Sequence, residues 1–273
     1  MNTTRCVSPG WNVHTPSHQP DPERPDRAHN IAILPAIGVF KGISASNREH
    51  RHWAHQLSIG LDDEIEVISK GIGHRASALF ILAGTPHRLV ANSVLSIYLD
   101  PPSDMAHAVR SRIYCDGPIV ALPERLATMI SGLFEDAKPV GHGLEKFMKS
   151  FQVSAPHSLP RKLQTVLEIL NRGIRAAHGT DRACLAKIAG LSESRFSHWF
   201  REETGLPLRS YRKWLRLIFG LEQALKGSTL TNAAHGAEFS DQAHFSRTFV
   251  QMFGVRPSDV VGSAMPKNAD GRD

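Results

Sequence analysis

The sequence predicts an α+β chain: a small β-barrel or sandwich with helices, then an all-α domain of two helix-turn-helix units joined by a long linker helix. Three observations predict it. Between positions 30 and 123, short apolar or alternating runs are separated by closely spaced turn residues, the texture of small all-β modules. After Pro160 the texture is helical, with Leu163, Val166, Leu167, Leu170 and Ile174 on one stripe. The helical part also repeats itself. A shift of 49 residues lays Phe196 on Phe245, Ser197 on Ser246, Phe200 on Phe249 and Gly205 on Gly254.

Taken in order, residues 1–29 hold Pro9, Pro16, Pro20, Pro22 and Pro25 among polar residues and read as a disordered tail. Residues 30–152 form the first folded unit. Its strand-like runs are 31–40, 53–59, 65–68, 78–83 and 94–99, with turns at 41–42, 60–63, 71–73, 83–86 and 100–102. Residues 122–137 read as an amphipathic helix with Leu126, Met129, Ile130 and Leu133 on one face. That face suits either packing on its own strands or dimerisation, and we favour the former. A short helix around 144–151 leads into a Gly-, Pro- and Ser-containing linker at 153–160. Residues 161–262 are the second folded unit, with its first helix over 161–178, and 263–273 a second disordered tail.

Composition and charge narrow the function. Of 273 residues, 41% are hydrophobic and 21% charged, ordinary for a globular chain. No run approaches the ~18 apolar residues of a membrane helix, and the proline-bearing N-terminus does not read as a secretion signal, so a cytoplasmic location is expected. Cys6, Cys115 and Cys184 are scattered with no Cys-x-x-Cys pair, which excludes a disulfide framework or zinc finger. Residues 159–262 carry 15 Lys/Arg against 9 Asp/Glu, and the remainder 17 of each. The whole net charge of +6 therefore sits in the helical part, as a polyanion-binding surface requires.

Each repeat copy reads as helix, tight turn, helix. In the first, the small-faced segment 183–189 is followed by Gly190, and Ser192 caps the next helix. Phe196, Trp199 and Phe200 make its inward stripe, and Ser194, Ser197, His198 and Arg201 face outward beside Arg195. In the second, Phe245, Phe249 and Phe253 point inward and Gln242, His244, Ser246 and Arg247 outward, with Ser240 or Asp241 as cap. Short polar, amide and basic groups early in the second helix suit a major-groove reader. The connector over 207–226 carries an apolar stripe through Tyr211, Trp214, Leu217 and Leu221. As a helix it spans roughly 28 Å, near the ~34 Å between successive major-groove faces. Its Arg209, Arg212, Lys213 and Arg216 suit phosphate contacts.

These residues carry a family resemblance. Leu-Ala-Lys-Ile-Ala-Gly-Leu-Ser from Leu185, Phe-Arg-Glu-Glu-Thr-Gly from Phe200 and Trp-Leu-Arg-Leu from Trp214 resemble the DNA-binding domain of the AraC/XylS family of bacterial regulators. Phe-Ser-Asp-Gln-Ala-His-Phe-Ser-Arg-Thr-Phe from Phe239 and Phe-Gly-Val-Arg-Pro-Ser from Phe253 complete the match. The resemblance implies a transcription regulator, an activator or repressor, that binds promoter DNA with both units and acts on RNA polymerase. By position it implies base-facing Ser194, Ser197 and His198 in the first unit and Gln242, Ala243 and Arg247 in the second. It also implies an N-terminal cupin-like sensor that takes a small-molecule effector or forms a homodimer. Two positions depart from the family pattern: Glu238 stands where a turn glycine is usual, and Ala233 where a larger aliphatic is usual. The first departure predicts a strained turn, the second looser packing.

In the first unit, Ala83-Gly84-Thr85-Pro86-His87 is similar to the Gly-x-Pro-His turn of cupin barrels. His50, His52, His55 and His87 allow a divalent metal site, but Gln56 and Leu57 occupy the vicinity where a glutamate is usual. The favoured expectation is a metal-free effector pocket edged by His52, Trp53, His87 and Arg88, with no cofactor and no catalysis. The alternative is a cupin-type metal-dependent enzyme with an accessory DNA-binding domain. A repair alkyltransferase is disfavoured, because no cysteine has activating neighbours.

Overall fold

The computed structural model describes residues 31–34, 36–43, 48–135, 140–151, 159–176 and 180–264. The proposed tail at 1–29, linker residues 153–158 and the tail beyond 264 lie outside the described residues. Nine strands occupy the N-terminal part: β1 (Ile31–Leu34), β2 (Ile37–Ile43), β3 (His55–Gly60), β4 (Ile65–Ser69), β5 (Ile72–Ala76), β6 (Ala78–Ile81), β7 (Arg88–Val90), β8 (Ser93–Leu99) and β9 (Ile119–Ala121). They make two antiparallel sheets, one in the order β1-β2-β8-β3-β6-β9 and one in the order β5-β4-β7. Among the described residues neither sheet closes on itself, so the architecture is the sandwich rather than the barrel.

Strand alternation divides the large sheet into two faces. Leu57, Ile59, Leu95, Ile97 and Leu99 join a core with Phe80 and with helices α1 (Asp104–Arg110), α2 (Glu124–Gly132) and α3 (Val140–Ser150). α2 places Ala127 and Ile130 in that core with Leu126 and Leu133 packed against it, whereas Met129 of the expected stripe is exposed. On the other face Leu79, Ile81 and Val94 meet Ile65, Val67 and Leu89 of the small sheet. The same face carries a polar row: buried Gln56 opposite half-buried Tyr98, and buried Ser58 opposite buried Ser96.

Several expected boundaries are corrected. The run 31–40 breaks at Ala36, whose φ of 64° folds β1 back on β2. Positions 41–42 are not a turn but the interior of β2, where Lys41 pairs with Leu95 and donates from Nζ to Phe134 O at 2.6 Å. The expected turn at 71–73 is shorter, centred on Lys70 and Gly71 with positive φ, and releases Ile72 and Gly73 into β5. The helix expected over 122–137 starts after Pro123 and ends at Gly132. α1, β5, β7 and β9 were not anticipated, because short or exposed segments show little periodicity.

Helices α4 (Arg161–Arg175), α5 (Arg182–Ile188), α6 (Glu193–Thr204), α7 (Leu208–Leu225), α8 (Leu230–Gly236), α9 (Gln242–Phe253) and α10 (Pro257–Ala264) form the C-terminal part. α10 was not anticipated and carries the fold past the expected boundary at 262. α4, α5, α6 and the start of α7 enclose one core around Phe196, Phe200 and Tyr211. The rest of α7 with α8, α9 and α10 encloses another around Trp214, Phe245 and Phe249. Trp53 packs against both cores, and Ile33, Ala54 and Tyr98 join the second. The sandwich thus rests directly on the helices. Among the described residues, no helix is long and apolar enough to cross a membrane.

Candidate nucleic-acid interface

Both helix-turn-helix units are built from local signals. Ser192 Oγ accepts from Arg195 N at 3.4 Å to cap α6, and Asp241 Oδ1 accepts from His244 N at 2.6 Å to cap α9. Each second helix ends in a left-handed glycine, Gly205 (φ 73°) or Gly254 (φ 72°). A polar clamp ties first helix to second in each unit. Arg182 Nε donates to Glu193 Oε2 at 2.7 Å, and Thr231 Oγ1 donates to Gln242 Oε1 at 2.8 Å. Arg182 and Thr231 were not singled out in the sequence, since a clamp is visible only once the turn angle is known.

The turn of the second unit is one residue longer. The left-handed position is Gly190 (φ 64°) in the first unit and Glu238 (φ 56°) in the second. One residue, Leu191, separates Gly190 from its cap Ser192, but two, Phe239 and Ser240, separate Glu238 from its cap Asp241. The strain expected at Glu238 is present as a positive φ, and Arg216 braces it. Its Nε donates to Ala237 O at 2.8 Å and lies 3.6 Å from Glu238 Oε2, while its guanidinium stacks 5.0 Å from the Phe239 ring. Arg216 is thereby held in the turn rather than offered to phosphate.

The outward faces carry the residues read from the sequence. On α6, Ser194, Arg195, His198 and Arg201 are exposed and Ser197 is half-buried, its hydroxyl donating to Glu193 O at 3.0 Å. On α9, Gln242, Ala243, His244 and Arg247 are exposed. His244 Nδ1 lies 3.1 Å from Ser240 Oγ, and its ring meets Phe239 edge-on. Phe196 and Phe200 of α6 and Phe245, Phe249 and Met252 of α9 are buried beneath these faces. Arg209 is exposed and Lys213 half-buried on α7. Arg212 departs from its expected phosphate role: its guanidinium donates to Thr180 O and anchors α7 to the segment before α5. The looser packing expected at Ala233 is also absent. Ala233 is fully buried, and α8 lies so close to α7 that a Cβ on Gly220 would stand 3.2 Å from Ala237 Cβ and 3.4 Å from Ala233 O.

The expected effector residues are divided by strand geometry. His52 and His87 are buried with ring centroids 5.2 Å apart, and half-buried Trp53 packs over Gly84 in the 83–87 turn. Arg88 is the next residue on β7 and points to solvent, so it does not edge the same site. His55 is also separate: its Nδ1 accepts from Ala83 N at 3.0 Å, and burial lowers its pKa to about 4. The sequence reading missed Gln56 as a partner of this cluster. Its oxygen lies 2.6 Å from His52 Nε2 and 3.2 Å from His87 Nε2. The sign that would have pointed to it is Gln56 and Ser58 alternating through an apolar strand.

Two capped units with solvent-facing polar second helices, on a common connector and in the basic part of the chain, define a DNA-binding transcription regulator of the helix-turn-helix class. A family model described as a helix-turn-helix domain matches residues 185–262. The chain is 24% identical over 258 residues to the HTH-type transcriptional regulator NimR of Escherichia coli (strain K12), covering 87% of this chain and 90% of NimR. Its fold is similar to that of ToxT from Vibrio cholerae O395, with a TM-score of 0.53, 12% identity, and coverage of 85% of this chain and 99% of ToxT. Unsaturated fatty acid bound ToxT from Vibrio cholerae strain SCE256 superposes with a TM-score of 0.51 at 10% identity, covering 83% of this chain and 93% of that one. These similarities support an AraC-type helix-turn-helix DNA-binding transcription regulator.

Proposed function

We propose that α6 and α9 enter successive major grooves of promoter DNA, with His198, Gln242 and Arg247 reading bases. Ser194, Ser197, Ala243 and His244 supply shorter contacts, and Arg195, Arg201, Arg209 and Lys213 meet phosphates. The observation that carries this reading is the pair of exposed polar faces on two equivalently capped helices. Imidazole, amide and guanidinium groups there match the donor and acceptor patterns of base edges. Residues 161–262 are on this reading the DNA-binding domain, and 30–152 the sensing domain.

A small-molecule effector would act where the sandwich rests on the second unit. Trp53, Ala54 and Tyr98 pack there against Trp214 and Phe253, so a change in the sandwich is transmitted by contact. The fatty-acid-bound ToxT structure supports a ligand-controlled protein of this fold. The regulated partner is RNA polymerase. A single chain covers two grooves and a homodimer four, which footprint length reports.

A salt series of binding to the protein's own upstream DNA tests the reading. The slope of log Kobs against log salt follows the number of phosphates neutralised, about −0.9 for each. Arg209→Ala and Lys213→Ala should each lower its magnitude by about 1, and Glu222→Gln, on the far part of α7, should leave it unchanged. A slope near zero, or one indifferent to Arg209 and Lys213, would overturn the proposed docking.

A further inference from the structure

Three histidines from two chain segments meet beneath the small sheet. His50 and His87 form an isolated antiparallel bridge, with His50 N donating to His87 O at 2.9 Å and His87 N donating to His50 O at 2.8 Å. His52 follows two residues on and so returns to the same side. All three are buried, and one ring nitrogen from each lies within 4.8 Å of the other two.

Their hydrogen bonds fix which nitrogen is free. Nδ1 of His50 lies 2.9 Å from Arg48 O, Nδ1 of His52 lies 2.8 Å from Ala54 O, and Nδ1 of His87 lies 2.8 Å from Thr85 O. A carbonyl oxygen only accepts, so each Nδ1 carries the hydrogen. In a neutral ring, Nε2 is then a bare lone pair. Backbone carbonyls on Nδ1 are the supports that orient metal-ligating histidines.

Gln56 sharpens the point. Its amide oxygen faces Nε2 of both His52 and His87 while its nitrogen donates to Ser58 Oγ at 2.8 Å. Oxygen lone pairs set against two nitrogen lone pairs repel, and a cation between them turns the repulsion into coordination. The donor set is three imidazoles and one amide oxygen, with no carboxylate or thiolate. It suits a borderline first-row dication such as Zn2+, Co2+ or Ni2+ rather than Mg2+ or Ca2+.

We propose that His50, His52 and His87 bind such a divalent metal ion with the Gln56 oxygen as fourth ligand, and that its occupancy is passed to the second helix-turn-helix unit. The route is short. The His52 ring stacks 6.2 Å from Phe253, the last residue of α9, and Tyr98 touches both rings, at 5.2 Å from His52 and 5.7 Å from Phe253. Arg51 N also donates to Gln251 O of α9 at 3.4 Å. Drawing the three imidazoles onto one ion therefore acts on the end of the base-reading helix. This coupling rests on the proposed DNA-binding function; the metal site itself does not.

The test uses the untagged full chain, stripped with chelator, and titrated with Zn2+ by calorimetry and with Co2+ by visible absorption. The expected result is one ion per chain and a ligand-field band of tetrahedral intensity. His52→Gln and His87→Gln should each weaken binding by more than about 100-fold, and Gln56→Leu by about 10- to 100-fold. His142→Gln, exposed on α3, should bind as the wild type does and excludes surface histidines. Zn2+ should then shift promoter affinity at least about 5-fold in the wild type and not in His87→Gln. Absence of stoichiometric binding, as with a Gln56 amide turned to donate to both rings, would overturn the site. Undiminished binding by both histidine variants would overturn it equally. Tight, histidine-dependent binding with promoter affinity unmoved would overturn the coupling. Failure of the metal-free protein to select its promoter would count against the DNA-binding function alone, because calorimetry still reads the ion. Should the histidine variants not fold, Gln56→Leu and the wild-type cobalt spectrum decide.

Discussion

Tyr211 donates its hydroxyl to Asp100 Oδ2 at 2.8 Å, joining the first turns of α7 to the end of β8. The other carboxylate oxygen of Asp100 is buried without a partner among the described residues. Burial raises the carboxyl pKa from 3.8 to about 7, against the Tyr211 hydrogen bond, which lowers it. The sandwich and the helices are therefore fastened at a carboxyl group that titrates near neutrality.

The sign of the pH dependence follows. The folded pKa lies above the unfolded value, so folding favours the protonated form. The contribution is fully present below about pH 4 and is lost as pH rises through 7. Thermal melts of the wild type should rise in Tm from pH 8 to pH 5.5 relative to Asp100→Asn. Tyr211→Phe leaves the carboxylate without its donor and should cost about 1–3 kcal/mol above pH 7. Parallel pH profiles for wild type and Asp100→Asn would contradict this.

Gly220 lets α7 approach α8 and α9. An added Cβ would stand 2.7 Å from Phe245 Cε2 and 3.2 Å from Ala237 Cβ. Gly220→Ala should therefore destabilise by about 1–3 kcal/mol through overpacking, despite the better helix propensity of alanine. Chemical denaturation checks the direction, and stabilisation would count against the packing described.

Glu238 occupies a left-handed position that costs an L-residue roughly 1–2 kcal/mol. The Arg216 ion pair that it would lose is partly exposed at 3.6 Å and is worth little. Glu238→Gly should stabilise by up to about 1 kcal/mol, raising Tm by roughly 2–4 °C. It should also tighten DNA binding by removing a negative charge beside α9. Glu238→Ala keeps the strain, loses the ion pair and should not stabilise.

The helical half was legible because its signals are local. Phe196 and Phe200, and Ser192 and Asp241, specify stripe and cap within one helix each, and take those roles. The polar faces of α6 and α9 follow from the same period. What escaped depends on distant chain. β5 is largely exposed and alternates weakly, and Lys41-Gly42 looks like a turn until β8 pairs with it. Arg88 was grouped with His87 by proximity in sequence, where the pleat sends neighbours to opposite faces. The meeting of His50 with His87 and the junction of Asp100 with Tyr211 span 37 and 111 residues, which no periodicity reports. Arg212 and Arg216 read as phosphate contacts because a helix stripe does not show which carbonyls lie beside it.

The central claim is that exposed side chains on α6 and α9 read bases. It is tested most directly by the affinity of His198→Ala and Arg247→Ala for the protein's own upstream DNA against random DNA of equal length at fixed salt. The account predicts that each loses about 1–3 kcal/mol of specific affinity, roughly 5- to 150-fold, while His198→Ala binds random DNA as the wild type does. Binding that is equal on both DNAs and unaffected by either substitution would contradict it.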